Sequence, residues 1–367
     1  MGRTWLSVLA SAAWLALAPP AAAQTAGHSA ELDVLVERAF ASDTELGETR
    51  SLLIIRNGET LLERHAPGFP PDTRQVSWSL AKSFTHALVG RLVEMGLVEG
   101  IDVPMPTPFA GDDPRTAITW REWLTMTDGL DYTEIAEPDV ELPLSEQDVV
   151  QMMYGPGRFD VVGWVVENAP ALHTPGERWN YSTAGYHLIA RAAQDAMGTE
   201  GDPEATTAWL DANLFDPLGM DPVAEYDAAG TLLGGSLIYA TARDFARLGE
   251  LYLADGVWEG ERFLPEGWVE FARTSPGPDD GTAVYGAGWW LMPENPEDDR
   301  FKVGGPHDVF HGGGHEGQSL WVAPSENLVV VRLGLMPNSP ESWKALYALN
   351  QEIVRSFAVE SLAPTTP

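Results

Sequence analysis

Ser77-Trp78-Ser79-Leu80-Ala81-Lys82-Ser83-Phe84 is the stretch on which the reading of this 367-residue chain turns. Lys82 is one of only three lysines, set against nineteen arginines. Arginine stays protonated, whereas a desolvated lysine can lose its proton and become a base. A lysine kept against that bias, three residues after a serine, is a candidate base beside a candidate nucleophile. The sequence beyond the pair predicts a helix. Leu80, Phe84, Leu88 and Leu92 recur at steps of four between Leu80 and Met95, and Gly96 is placed to end the run. Ser79 then stands at the helix N-terminus, with Lys82 one turn on along the same face. The electropositive helix end disfavours a further positive charge and helps keep Lys82 neutral.

Upstream, Glu31 to Phe40 has the period of an amphipathic helix. Ser51 to Arg56 and Thr60 to Arg64 flank Asn57-Gly58, a pair suited to a two-residue hairpin because both residues tolerate positive φ. Downstream, residues 101–274 read as mostly helical with long loops rich in Pro and Gly. They include a capping box at Thr119 to Glu122 with Gly129 closing its helix, a helix after Tyr181, and another from Thr241 to Leu253. From Tyr285 the pattern turns to strands, with apolar runs at 319–323 and 328–335 and a last helix over 341–357. Strands early and late with helices between predict an α+β fold. One antiparallel sheet is built from N- and C-terminal segments and flanked by helices, beside a mostly helical second lobe. The expected boundaries are one catalytic domain over 31–360, with a sheet lobe of about 31–75 plus 275–360 and a helical lobe of about 100–274.

Composition narrows the function classes. A hydrophobic content of 44% and fourteen tryptophans supply a packed core. The formal charge of −32 argues against nucleic acid and anionic membrane surfaces as partners; a salty habitat and an ordinary acidic exported protein both fit it. Arg3, the apolar stretch Trp5 to Ala18 and Ala21-Ala22-Ala23 form the layout of a secretory signal peptide over 1–23, an uncleaved anchor being the alternative. With no cysteine to form disulfides, the expected location is a bacterial periplasm or medium, with no stable membrane insertion after cleavage.

Two further segments carry chemistry-bearing residues. Tyr181-Ser182-Thr183 opens a helix and offers a phenol that could shuttle protons in a cleft. Phe310-His311-Gly-Gly-Gly-His315-Glu-Gly-Gln318 precedes a strand, and its glycines permit close approach of backbone to substrate and a backbone N–H aimed at an oxyanion. The two histidines lack the cysteines or His-Glu-x-x-His spacing of a zinc site, so no metal is expected. The His-Gly-Gly-Gly string has no following Gly-x-Ser-x-Gly elbow, which sets it apart from α/β-hydrolase esterases.

Taken together, Ser79-x-x-Lys82, Tyr181-x-Thr183 and the Gly-rich element at 311–317 resemble the serine β-lactamase-like superfamily in order and rough spacing. Supporting stretches are Leu124 to Leu130, Pro175 to Tyr186, Gly235 to Leu248 and Tyr285 to Trp289, so the resemblance spans roughly 51–335. Within the superfamily the chain is similar to class C β-lactamase-like esterases, amide hydrolases and D-amino-acid peptidases. The resemblance implies that Ser79 is acylated and that Lys82 takes its proton, directly or through Tyr181. It implies that Tyr181 protonates the leaving group, and that the backbone N–H of Ser79 and that of the residue after the third motif hold the oxyanion. The third motif reads in two registers. His311-Gly312-Gly313 with Gly314 as donor is preferred; Gly312 as first member with His315 as donor is the other.

Two departures bear on the substrate. Thr183 stands where many relatives have Asn, and the third motif has no lysine to grip a β-lactam carboxylate. The expected function is therefore an exported serine hydrolase of small-molecule carboxylic esters or amides that uses no cofactor. The alternatives are a D-peptidase or weak β-lactamase acting on peptidoglycan-type substrates, and a non-catalytic sensor. Trp78, Trp179, Trp289 and Trp290 lie near the motifs as candidate cleft walls; oligomeric state is not legible.

Overall fold

Residues 48–56 and 328–335, from opposite ends of the sequence, pair side by side in the main sheet. The computed structural model describes residues 30–42, 44–134, 142–277, 284–302 and 304–361; the expected signal peptide lies outside them. The strands are β1 (Glu48–Arg56), β2 (Glu59–His65), β3 (Gln75–Val76), β4 (Val223–Ala224), β5 (Ile238–Ala240), β6 (Val257–Trp258), β7 (Glu261–Arg262), β8 (Trp290–Leu291), β9 (Phe310–Gly314), β10 (Gln318–Ala323) and β11 (Leu328–Leu335). The α-helices are α1 (Ala30–Ala39), α2 (Ala81–Glu94), α3 (Trp120–Leu124), α4 (Asp148–Met153), α5 (Val161–Asn168), α6 (Thr183–Met197), α7 (Pro203–Leu210), α8 (Ala242–Leu253), α9 (Trp268–Arg273) and α10 (Pro340–Ser361).

The main sheet runs in the order β2-β1-β11-β10-β9-β8, and every neighbouring pair is antiparallel. It is built from both ends of the chain, as expected. Its first hairpin turns at Asn57 and Gly58 with φ of 52° and 75°, the positive values the dipeptide predicts. Both faces are covered, which explains why β1 and β11 read as continuous apolar runs and not as alternating ones. Leu53, Ile55, Leu320, Val322, Val329 and Val331 face the helical side. Leu52, Ile54, Trp321, Leu328 and Val330 face α1 and α10.

The helical segment departs from expectation in three ways. Helix α8, inside the span assigned to the helical lobe, packs on β10, β11 and β1 and so covers the sheet. Gly249 allows that approach, since a methyl group there would come within 2.8 Å of Leu320 Cδ1 and Val329 Cγ1. The same span also carries β4 and β5, which join β3 in a small sheet, and the two-stranded β6-β7 sheet. Lastly, the capping box at Thr119 forms as predicted, but its helix stops at Leu124; Gly129 lies beyond it, in a turn that also holds Met126 at φ 57°. The rest of the lobe centres on α6, whose buried face meets α2, α3 and α5. Among the described residues no helix is long and apolar enough to cross a membrane.

Arg332 sits in the middle of β11 with none of its surface exposed. Its guanidinium donates to Thr49 Oγ1 at 3.2 Å, Leu46 O at 2.7 Å, Glu48 O at 3.2 Å, Glu316 O at 3.3 Å and Gly317 O at 3.0 Å. One side chain thus ties the entry to β1 to the turn between β9 and β10. Burial pushes its pKa down to about 10. Arg332→Met removes the donors and leaves buried carbonyls without partners, each omission costing about 1–3 kcal/mol. We expect this variant to lose about 3 kcal/mol or more at equal m-value in equilibrium urea unfolding; an unchanged midpoint would contradict the tie.

Candidate active site

The site forms where the start of α2, the start of α6 and the end of β9 converge. A single 3-10 turn, Trp78–Leu80, leads into α2. Ser77 anchors it from below: its hydroxyl accepts from Ile238 N at 3.0 Å and donates to Ser236 O at 3.2 Å. Trp78 takes φ 47°, a left-handed backbone that costs a bulky residue roughly 1–2 kcal/mol. Two contacts hold it there. The indole N–H donates to Glu316 Oε2 at 3.1 Å, and the His315 ring meets the indole edge-on at 5.4 Å. The turn presents Ser79 half-buried at the cleft.

Lys82, one turn on, has no exposed surface. Its Nζ lies 3.1 Å from Ser79 Oγ, 2.8 Å from Thr183 Oγ1 and 2.8 Å from Gly235 O. Burial pushes its pKa down from 10.5 to about 8, partly offset by the negative charge of Glu134. The amine is therefore far closer to neutral than an ordinary lysine. The Tyr181 hydroxyl shares a hydrogen bond with Ser79, and its ring centroid lies 4.9 Å from Lys82 Nζ. Burial, and then the Glu134 charge, hold the phenol above its ordinary range, so it stays protonated. Serine, lysine and tyrosine thus meet as the spacing predicts.

Helix α6 supplies Thr183 because Ser182 caps it, accepting from Gly185 N at 3.0 Å. Thr183 is buried at the first helical position, where its side chain faces Lys82. It is also held by Glu134, a residue the sequence reading passed over. Thr183 N and Oγ1 donate to the two Glu134 carboxylate oxygens at 2.5 and 2.6 Å. Glu134 lies in an irregular segment with no motif spacing to mark it. The available signal was an acidic residue shortly after the 124–130 stretch. The Gly235 carbonyl escaped notice as a lysine partner for a similar reason, since backbone groups leave no trace in sequence.

The third motif lies on β9, and its residues face two ways. Gly312 and Gly314 face the Ser79-bearing segment. A methyl group at Gly312 would strike Leu80 Cδ1 and come within 2.8 Å of Ser83 Oγ; one at Gly314 would strike the Ser77 carbonyl and come within 3.1 Å of Trp78 Cβ. Because side chains alternate along a strand, His311 points the other way. Its ring stacks on Trp321 at 4.8 Å and meets Tyr347 edge-on at 5.0 Å, and burial pushes its pKa down to about 3. His311 also pairs with Trp290 of β8, and the two rings lie parallel at 6.4 Å. Gly313 is half-buried on the His311 side, near Trp290, and His315 is exposed beside Trp78.

An aromatic wall closes one side. Tyr181 stacks on Trp290 at 5.4 Å, and Trp179 and Tyr285 each pack against both rings. Of the four tryptophans expected near the motifs, Trp290 and Trp179 line this wall and Trp78 braces the serine. Trp289 instead is fully buried against Tyr252 and Phe310. Among the described residues no group of three or more His, Asp or Glu is disposed to hold a metal ion.

The opposed faces of β9 lead to a direct test. A methyl at Gly313 meets Trp290 at 3.6 Å, an ordinary contact. Gly313→Ala should change stability by less than about 0.5 kcal/mol, whereas Gly314→Ala should cost about 1–3 kcal/mol in thermal or urea unfolding. Equal effects would show that the two faces are misassigned.

Comparisons with known proteins bear on the family and the fold. A family model described as Beta-lactamase matches residues 48–343. A 6-aminohexanoate-dimer hydrolase of Paenarthrobacter ureafaciens is 27% identical over 330 residues, covering 84% of this chain and 78% of the relative. Among solved structures, a penicillin-binding protein homologue from Caulobacter crescentus superposes with a TM-score of 0.63 at 17% identity, covering 89% of this chain and 97% of that one. EstCE1, described as a hydrolase with promiscuous acyltransferase activity, gives a TM-score of 0.60 at 17% identity, with coverages of 87% and 97%. At such identities the structural matches bear on fold alone.

Proposed function

The chain belongs to the β-lactamase family of hydrolases, and on that premise we propose that it is an exported serine hydrolase of carboxylic esters or amides acting through a Ser79 acyl-enzyme. The observation that carries this reading is the buried Lys82 amine, 3.1 Å from Ser79 Oγ and with its pKa pushed down to about 8. In this scheme the Ser79 hydroxyl proton passes to Lys82 Nζ, directly or through Tyr181, as Oγ bonds to the substrate carbonyl carbon. The backbone N–H of Ser79 and, in the register that starts at Gly312, that of His315 stabilise the resulting oxyanion; the close approach of Gly312 and Gly314 to the Ser79-bearing segment favours this register over the one with Gly314 as donor. Collapse breaks the bond to the leaving group, which takes a proton from Tyr181. Water then attacks the acyl-enzyme, its proton returning through the same pair, and frees the acid.

The substrate side of the proposal rests on three features. The third motif offers glycines in place of a cation, Glu134 adds a negative charge, and the wall of Trp179, Tyr181, Tyr285 and Trp290 suits an apolar acyl or leaving group. Such a site favours neutral or cationic esters and amides over anionic β-lactams. The 6-aminohexanoate-dimer hydrolase supports a small linear amide as one candidate. Export rests on the leader-like residues 1–23, and a bacterial periplasm or medium is the proposed location.

Intact mass after treatment with an alkyl fluorophosphonate should show one adduct on the wild type and none on Ser79→Ala, and Ser79→Ala should abolish turnover in a panel of p-nitrophenyl esters, linear amides, D-amino-acid amides and nitrocefin. Labelling that survives Ser79→Ala would refute the nucleophile assignment. Because Lys82 must lose its proton to act, and its pKa stands near 8, the labelling rate should rise with pH through a limb near 8. A rate that falls across that interval would exclude Lys82 as the base.

A further inference from the structure

We infer that Glu134 is a positioning residue that aims the Lys82 lone pair at Ser79 by taking the only hydroxyl proton of Thr183. The inference rests on the Ser79–Lys82 reading above and extends it to a residue that touches neither reacting atom. Hydrogen-bond bookkeeping leads to it. A carboxylate can only accept, so the 2.6 Å contact between Thr183 Oγ1 and Glu134 Oε1 uses the threonine's single proton. The 2.8 Å contact between Thr183 Oγ1 and Lys82 Nζ then has one remaining polarity: the lysine donates. Gly235 O, also 2.8 Å from Nζ, accepts as well. A neutral amine has two N–H groups, and both are now committed. Its lone pair is left for the third neighbour, the Ser79 hydroxyl at 3.1 Å. With glutamine at 134, the one amide oxygen serves the fixed Thr183 N–H, the amide NH2 donates to Oγ1, and the threonine proton turns onto the lysine nitrogen and occupies that lone pair.

Glu134 is bound in place by its second oxygen, which accepts from Thr183 N at the start of α6. The other groups around Lys82 do not duplicate it. The Tyr181 ring, just before α6, and the Tyr186 ring on it lie 4.9 and 5.9 Å from Nζ, and α6 also brings His187, whose pKa burial lowers to about 3. Ser79 lies on the lysine's own segment and Gly235 offers only its carbonyl. Tyr285, behind Tyr181, is held well above its ordinary range by burial and stays neutral. Glu134 is the one carboxylate that acts on the lysine charge among the groups named, and it favours the protonated form.

These two roles have opposite signatures. Removing the carboxylate charge lets the lysine deprotonate at lower pH, while losing the orientation slows proton transfer at every pH. The experiment is the rate of Ser79 modification by an alkyl fluorophosphonate as a function of pH. In that reaction the Ser79 proton goes to Lys82 as the O–P bond forms and fluoride leaves. Glu134→Gln should lower the high-pH plateau by roughly tenfold or more and move the acid limb about half a unit or more towards lower pH. Glu134→Asp, which keeps the charge, should hold the limb near its wild-type position. In a Thr183→Val background, Glu134→Gln should change the plateau by less than about twofold, because its orienting effect passes through the threonine hydroxyl, while the limb still moves.

A wild-type plateau for Glu134→Gln, a lowered plateau with an unmoved limb, or multiplying effects of the two variants would each overturn the inference. If Glu134→Gln does not fold, Thr183→Val and Thr183→Ser decide. The valine variant should lose the plateau and the serine variant keep it, and equal rates would overturn the proposal. Absence of label on wild-type Ser79 would overturn the nucleophile reading and this role with it. Label on Ser79 that ignores both substitutions would overturn only the positioning role.

Discussion

An amine with no surface in contact with water is the constraint around which this protein is arranged. Burying Lys82 is unfavourable for its charged form, and the protein compensates with fixed dipoles more than with a countercharge in direct contact. Gly235 lends a carbonyl, Thr183 a hydroxyl oxygen and Ser79 its side chain. Each partner comes from a different part of the chain, so the helix carrying Lys82, the helix opened by Ser182 and the glycine pair at 234–235 have to meet with little tolerance. The small residues nearby follow from that meeting. A methyl group at Gly235 would lie 2.9 Å from the Thr183 carbonyl oxygen, and one at Gly288 would lie 3.1 Å from the Lys82 carbonyl oxygen.

The charge of the whole chain and the charge of the site are separate matters. The carboxylates that give −32 are mostly solvated, and ion pairs at such exposure contribute little to stability. Among the described residues around Lys82, Glu134 is the carboxylate that acts on its charge, and burial keeps the Tyr181 phenol protonated and the His187 imidazole uncharged. A negative charge arriving with a substrate finds no fixed cation at the third motif to receive it, where glycines occupy the strand.

The architecture was legible because it depends on patterns that survive in one dimension. The Asn57-Gly58 turn, the step of four along Leu80, Phe84, Leu88 and Leu92, and the apolar runs of β10 and β11 each reflect a local geometry. The Ser79, Lys82 and Tyr181 cluster was legible for the same reason, since two of its members share a helical turn and the third opens a helix. What escaped was whatever depended on the face of an element and not on its identity. The alternation along β9 turns His311 towards Trp321, and nothing in a run of glycines announces which way the strand is rotated. Helix α8 has an ordinary amphipathic pattern, which does not say whether its apolar side meets a sheet or other helices. Glu134 belongs to neither a helix nor a strand, and its partner lies 49 positions away.

The left-handed backbone at Trp78 has a consequence for how such a protein can change. Strain immediately before the serine is held by a hydrogen bond to Glu316 and an edge contact with His315, both on the turn that follows β9. The serine and the end of the third motif are thereby hooked together by the side chain that makes the backbone uncomfortable. Glycine at position 78 would relax the chain and release the hook in one step. Relief of the backbone and loss of the hook would therefore act in opposite directions at this one position.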